Sequence, residues 1–157
     1  MISPSPYILC LVRGGKESKR TVTKAIDLAL EIDARLVFFH VIDAEFLNQS
    51  MMGTRLKVVY QALSDMADFA MEITKDRAKR RGVKDVETII REGNIVKQLR
   101  QAAIETHAKV LIIGRPIRSP GSNVFEDSEL LKFANELADV GEVEVLVVGE
   151  EEKLRGR

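Results

Sequence analysis

Short apolar runs rich in branched residues recur along this chain, and each one stops at a glycine or a charged residue. Five such runs are present, and they begin at Tyr7, Leu36, Val86, Val110 and Val143. Runs of this length favour β-strands, and the unbroken ones are typical of strands that are covered on both faces. Segments with helical periodicity lie between them, which predicts an α/β fold with parallel strands and right-handed crossovers.

Four helices are predicted between the strands. The first follows Ser18, the second runs from Arg55 to Arg81, the third begins after its N-cap Asn94, and the fourth covers residues 130–138. Each carries one apolar stripe about a third of a helix wide, as expected for helices that lie on a sheet. In the second helix, the predicted sheet-facing stripe comprises Leu56, Val59, Tyr60, Leu63, Met66, Ala67, Ala70 and Ile73.

The composition is that of a globular chain, since 45% of its 157 residues are hydrophobic and 31% are charged. We expect one domain over residues 1–157, in which residues 150–157 form a charged C-terminal tail. Twenty-four basic residues balance twenty-four acidic ones, so no net field favours nucleic acid or an anionic membrane. The chain shows neither a signal-peptide pattern nor an apolar stretch of membrane-spanning length, and we therefore expect a cytoplasmic protein.

Open parallel sheets bind ligands beyond the carboxyl ends of their strands, where the strand order reverses. The candidate site therefore lies in the segments that follow the strands, which are residues 13–18, 41–54, 91–94 and 114–128. No metal centre is expected there, because the single cysteine and the two histidines lack metal-ligand spacing.

Several of these segments resemble those of one protein family. Gly14-Gly15-Lys16-Glu17-Ser18 follows the first strand, Asp43 ends the second, Arg91-Glu92-Gly93-Asn94 leads into the third helix, and Gly114 closes the fourth strand. In this order and spacing they are similar to the universal stress protein family over nearly the whole chain. The resemblance implies a five-stranded parallel open sheet of order 3-2-1-4-5 with helices on both faces, which is an adenine nucleotide alpha hydrolase-like fold.

Many members of that family bind ATP between the tips of the first and fourth strands. Their pattern has an acidic residue at the end of the first strand and Gly-x2-Gly-x9-Gly-Ser after the fourth. Laid over this sequence, the acid is replaced by Arg13, the second glycine falls on Ile117, and the Gly-Ser pair falls on Asp127-Ser128. Gly114 and Ser128 keep the pattern.

Each departure weakens the standard ATP site. Ile117 brings a branched side chain where backbone amides would approach a phosphate. Asp127 sets a carboxylate beside the phosphates, a repulsion of about 1 kcal/mol or more. Arg13 reverses the charge beside the ribose. We therefore expect a cytoplasmic binding or regulatory protein in the stress response that is not an enzyme and holds no cofactor in the family's standard way.

Two alternatives stay open. In the first, a shifted phosphate loop binds ATP or AMP and allows slow ATP hydrolysis; its candidate residues are Val12, Arg13, Gly14, Val41, Gly114, Arg115, Arg118, Gly121, Ser122 and Ser128. In the second, residues 13–18 act as the Ser-Gly-Gly-x-Asp-Ser loop of ATP pyrophosphatases, although Arg13 and Glu17 replace its first serine and its aspartate.

The fifth run predicts a partner. It would form a sheet edge, and no proline or lysine protects it from pairing with another chain. The resemblance likewise implies dimers across this strand. We expect a homodimer with Val143, Val145 and Val147 at its interface and no nucleic-acid or membrane partner.

Overall fold

A computed structural model describes residues 6–13, 16–42, 54–114 and 127–149. The strands and helices alternate as predicted, in the order β1 (Tyr7–Leu11), α1 (Lys16–Ile32), β2 (Arg35–Ile42), α2 (Thr54–Arg81), β3 (Val86–Glu92), α3 (Ile95–Glu105), β4 (Val110–Gly114), α4 (Asp127–Gly141) and β5 (Glu144–Val148). The predicted tail at 150–157 and the segment at 43–53 lie outside the described residues.

The sheet has five parallel strands in the order β3-β2-β1-β4-β5, which confirms the order implied by the resemblance. Helices α1 and α2 pack on one face of this sheet, and α3 and α4 pack on the other. Consequently β1 lies at the centre, and its residues Ile8 to Leu11 are buried on both faces. Side chains of β1 alternate between the two core clusters, as strand geometry requires.

One or two residues beyond the end of each described helix lies a residue with left-handed backbone geometry, which turns the chain back towards the sheet. These residues are Asp33 (φ 53°), Gly82 (φ 108°), His107 (φ 53°) and Glu142 (φ 55°). The following amide then bonds back into the last turn, as Ala34 N–H does to the carbonyl of Ala29 at 2.9 Å. This geometry satisfies carbonyls that the helix end would otherwise leave open.

The predicted N-cap of α3 is confirmed. Asn94 has extended backbone geometry, and its side-chain oxygen accepts the Lys97 amide at 3.0 Å.

The predicted sheet-facing stripe of α2 is wrong at several positions. The helix buries Ala67, Met71 and Ala78 against the sheet, whereas Met66 is 67% exposed and Ile73 is 54% exposed. The cause is a second apolar face on this helix, on the side that points away from the sheet. Sequence periodicity alone does not separate these two apolar faces, so the prediction treated them as one stripe.

No helix in the described part of the chain combines the length and the apolar content needed to cross a bilayer.

Candidate functional site

The candidate site lies where the tips of β1 and β4 meet. Strand β1 pairs with β2 on one side and β4 on the other, and Cys10 is the partner of Ile112. Gly114 therefore lies at about the level of Val12, just beyond the end of β1. The connections out of β1 and β4 lead to opposite faces of the sheet, which is the arrangement that opens a crevice at a switch point.

Hydrogen bonds fix the backbone at the tip of β1. The Val12 amide donates to the carbonyl of Phe39 on β2 at 2.7 Å, and the Val12 carbonyl lies 2.7 Å from Nδ1 of His40. A carbonyl only accepts, so Nδ1 of His40 carries the hydrogen in this bond. The Arg13 amide donates to the Ser18 hydroxyl at 3.3 Å, which ties the tip to the first turn of α1.

Arg13 brings a cation to this tip. Its side chain is partly buried, and burial lowers the pKa of the guanidinium because the charged form loses hydration. An arginine nevertheless stays protonated at any physiological pH. Within the described residues its guanidinium forms no ion pair. Such a partly dehydrated cation favours an anion nearby.

Gly114 is held by packing at the tip of β4. A Cβ placed there would lie 2.7 Å from the hydroxyl oxygen of Thr21, closer than real Cβ contacts. Thr21 is 2% exposed and lies on the sheet-facing side of α1. The close approach of α1 to β4 is therefore sufficient to require glycine at this position.

Sequence reasoning placed Ser18 in the candidate segment 13–18 but missed Thr21 as part of this site. Ser18 and Thr21 are polar residues on α1, three positions apart, at the end of a stripe that continues with Val22 and Ala25. A short polar pair on the sheet-facing side of a helix is the signal that could have identified Thr21, because such groups need partners when buried.

At the carboxyl ends of β2 and β3, side-chain and backbone contacts join the two strands to each other and to the helices. The Gly93 amide donates to the Ile42 carbonyl at 2.9 Å, and the Tyr60 hydroxyl from α2 bonds to the Glu92 carboxylate. On the other face, Arg91 forms an ion pair with Glu105 at 2.9 Å. These contacts complete β3 against its neighbours.

The predicted nucleotide-binding residues are only partly described. Val12, Arg13 and Gly114 come together at the β1 and β4 tips, and Val41 lies on β2. Asp127 begins α4, with Ser128 in its first turn, but the side chains of both lie outside the described part. The remaining candidates also lie outside it: Gly14, Arg115, Arg118, Gly121 and Ser122.

The thiol of Cys10 belongs to the core beneath this site. Its sulfur lies 4.0 Å from the carbonyl oxygens of Leu11 and Thr21, and burial raises the pKa of the thiol well above its usual range. A thiol in this state is unreactive. Among the described residues, no group of three or more His, Cys, Asp or Glu side chains could hold a metal ion.

The predicted dimer strand β5 is an edge of the sheet. Val143 and Val145 are buried in the chain's own core beside Phe133 and Leu137, and Val147 is partly buried against the same cluster. The surface of this edge therefore consists of its backbone and the accessible parts of Leu146 and Val147.

The model of the universal stress protein family matches residues 7–149. The chain belongs to the universal stress protein family. No curated protein matches it at the sequence level.

Solved universal stress proteins share the fold. UspA from Lactobacillus plantarum has a TM-score of 0.70 at 17% identity, covering 94% of this chain and 100% of that one. A universal stress protein in complex with cAMP has a TM-score of 0.61 at 21% identity, covering 93% and 98%. The universal stress protein from Archaeoglobus fulgidus in complex with dAMP has a TM-score of 0.58 at 11% identity, covering 95% and 100%. These likenesses confirm the adenine nucleotide alpha hydrolase-like fold.

Proposed function

We propose that this universal stress protein is a cytoplasmic, single-domain regulatory protein that acts by binding rather than by catalysis, and that it does not hold ATP in the family's standard way. The observation that carries the proposal is Arg13, a partly buried cation at the tip of β1 where the ATP-binding pattern has an acid. The contact between Gly114 and Thr21 supports it, because packing alone accounts for the one glycine of the phosphate pattern that the structure describes.

Thermal unfolding in the presence of Mg-ATP tests this proposal. A ligand at 100 times its Kd stabilises a protein by about 2.7 kcal/mol, which raises Tm by roughly 5–10 °C for a chain of this size. We expect no rise for the wild-type protein at millimolar Mg-ATP. A variant that restores the pattern, Arg13→Asp with Ile117→Gly and Asp127→Gly, should gain the rise. A rise in the wild-type protein, or ATP released on its denaturation, would refute the proposal.

A second candidate function is the binding of a nucleoside monophosphate. The dehydrated Arg13 guanidinium, without an ion pair among the described residues, favours it. The cAMP and dAMP bound to two structural neighbours make this ligand class the one to examine first. Arg115, Arg118, Gly121, Ser122 and Ser128 remain the predicted contributors from the loop and from α4.

Titration with AMP and cAMP, followed by Tm, separates this candidate from the first. A rise that disappears in Arg13→Gln and survives in the charge-matched Arg13→Lys would support a phosphate partner at Arg13. An equal rise in all three proteins would place the ligand elsewhere, and no rise in the wild-type protein would eliminate the candidate.

We further propose that two copies pair across the β5 edge, as dimers of this family are expected to do. Val147→Lys should disrupt this dimer by charging the edge, whereas Thr88→Lys on the opposite edge strand β3 should not. Sedimentation velocity gives the mass, and circular dichroism shows that each variant is folded. A dimer fraction at dilute protein concentration that is the same in folded Val147→Lys as in the wild-type protein would contradict the assignment.

A further inference from the structure

Helix α2 carries an exposed apolar seam on the side away from the sheet. Phe69 is 70% exposed, Met66 is 67% exposed and Ile73 is 54% exposed. Together with the exposed Ala62 they recur at intervals of four, three and four, the spacing of a coiled-coil seam. The seam comprises Ala62, Met66, Phe69 and Ile73.

The seam is distinct from the side of α2 that packs on the sheet. Ala67, Met71 and Ala78 occupy that side and are buried. Residues that mediate packing within the chain and residues of the seam thus point in roughly opposite directions around the helix. A contiguous row of large exposed apolar side chains marks an interaction surface.

Residues on either side of the seam indicate its partner. In a parallel, in-register pair of helices, a residue that flanks the seam on one side faces the residue five positions later in sequence on the second copy. Glu72 then faces Arg77, an acid beside a base, and Val58 faces Leu63, both apolar and exposed. Arg77 already donates one bond to Thr23 on α1, but a guanidinium has five N–H donors.

The alternatives fit this charge distribution less well. In an antiparallel pair, Asp65 and Glu72 of one copy would face the same acidic row of the other, which is repulsive. An anionic membrane would be repelled by that row as well. The charges therefore favour a second copy in parallel orientation.

The extent of the seam sets the strength expected of this contact. From Ala62 to Ile73 it is about 17 Å long at 1.5 Å per residue, which is about two-fifths of the length of α2. A patch of this size is smaller than the roughly 800 Å² per partner of standard interfaces, so the association should be weak and dependent on concentration.

We infer that the outer face of α2 is a self-association surface, through which two copies pair their α2 helices in parallel and in register along the seam. It is separate from the β5 edge and does not depend on any ligand at the β1 and β4 tips.

Cysteine cross-linking tests both the contact and its orientation. Ala62→Cys and Ile73→Cys lie near opposite ends of the seam, so both should form disulfide-linked dimers on mild oxidation if the pair is parallel and in register. Lys24→Cys, on the exposed outer face of α1, is the matched control and should not. Native Cys10 is buried and contributes no background. Failure of Ala62→Cys and Ile73→Cys to cross-link above the control would overturn the inference.

Sedimentation velocity over a concentration series supplies an independent test. The test uses Val147→Lys, which lacks the proposed β5 dimer and should still rise in mass with concentration. In that background Phe69→Glu should abolish the rise, whereas Lys24→Glu should leave it unchanged. Circular dichroism confirms that each variant is folded. A concentration dependence retained by Val147→Lys with Phe69→Glu would refute the contact. Phosphatidylglycerol vesicles form the last arm, since vesicle binding that is lost on Phe69→Glu, without self-association of Val147→Lys, would assign the seam to a membrane instead.

Discussion

Helices α1 and α2 lie side by side on the same face of the sheet, yet their outer surfaces are opposite in character. The outer face of α1 presents Lys19, Arg20 and Lys24 to solvent. The outer face of α2 presents Met66 and Phe69. A charged outer face is typical of a helix whose only packing partner is its own sheet.

Their inner surfaces differ as well. Helix α1 lies close against β1 and β4, with Ala25 and Ile26 fully buried and Thr21 against Gly114. Helix α2 buries small residues and one methionine, Met71. The difference shows that α1 needs no packing partner other than its own chain. Helix α2 has one apolar face for the sheet and a second apolar face that is available to another molecule.

The largest difference between the two helices is expected in the reactivity of cysteine thiols, one beneath α1 and one on the exposed side of α2. Cys10 lies beneath α1, where burial raises the pKa of its thiol. We expect its alkylation to require opening of the core and to be slower by several orders of magnitude than that of Gln61→Cys on the exposed side of α2. Mass spectrometry during a time course of iodoacetamide labelling measures both rates in the variant. Comparable rates would mean that α1 does not seal the core.

The two faces of α2 should differ in their contribution to stability. Met71→Ala removes a buried side chain and should lower the free energy of unfolding by about 2–5 kcal/mol. Phe69→Ala, two positions away on the exposed side, should change it by only about 0.5 kcal/mol at dilute protein concentration. Urea denaturation followed by circular dichroism gives both values. Equal losses would show that Phe69 packs within the chain.

Gly114→Ala tests how closely α1 approaches β4. The new Cβ would meet the Thr21 hydroxyl at 2.7 Å, and relief of that contact should cost about 1–3 kcal/mol. Adding Thr21→Ala should recover part of the loss, because it removes the opposing atom. Urea denaturation of the single and double variants makes the comparison. Wild-type stability of Gly114→Ala would show that the approach is looser than described.

The smallest effect is expected for the ion pair that joins the two helices. Arg81 of α2 lies 2.8 Å from Asp27 of α1, and both side chains are about half exposed. Pairs of this kind contribute about 0–1 kcal/mol and weaken with salt. Arg81→Gln should therefore lower stability slightly in dilute buffer and by less at 1 M NaCl. A larger or salt-independent loss would indicate a packing role.

The order of the elements was predictable because alternating short apolar runs and helical segments leave few connections open. The strand order came from the family resemblance. Boundaries were less exact: the third apolar run of the sequence stops at Ile90, whereas β3 continues to Glu92, because its backbone keeps pairing with β2 whatever the side chains are. In α2, a 28-residue helix, two apolar faces read as one stripe, so Met66 and Ile73 were assigned to the wrong side.

The candidate site was predictable in position but not in composition. Arg13 was recognised because it replaces an expected acid at a defined place. Thr21 was not, because its contact with Gly114 joins residues far apart in sequence and depends on how closely a helix approaches a strand. Such distances follow from packing, which a single sequence does not specify.

The residues with left-handed backbone geometry that follow the helices affect how much this sequence can change while the fold is kept. Three of them, Asp33, His107 and Glu142, are not glycine, although this geometry costs a side-chain-bearing residue roughly 1–2 kcal/mol. The turns therefore depend on a backbone path that the packed sheet enforces rather than on a fixed residue type. Substitutions can accumulate at these corners without moving the strands, which is consistent with the fold that this chain shares with solved universal stress proteins to which it is 11–21% identical.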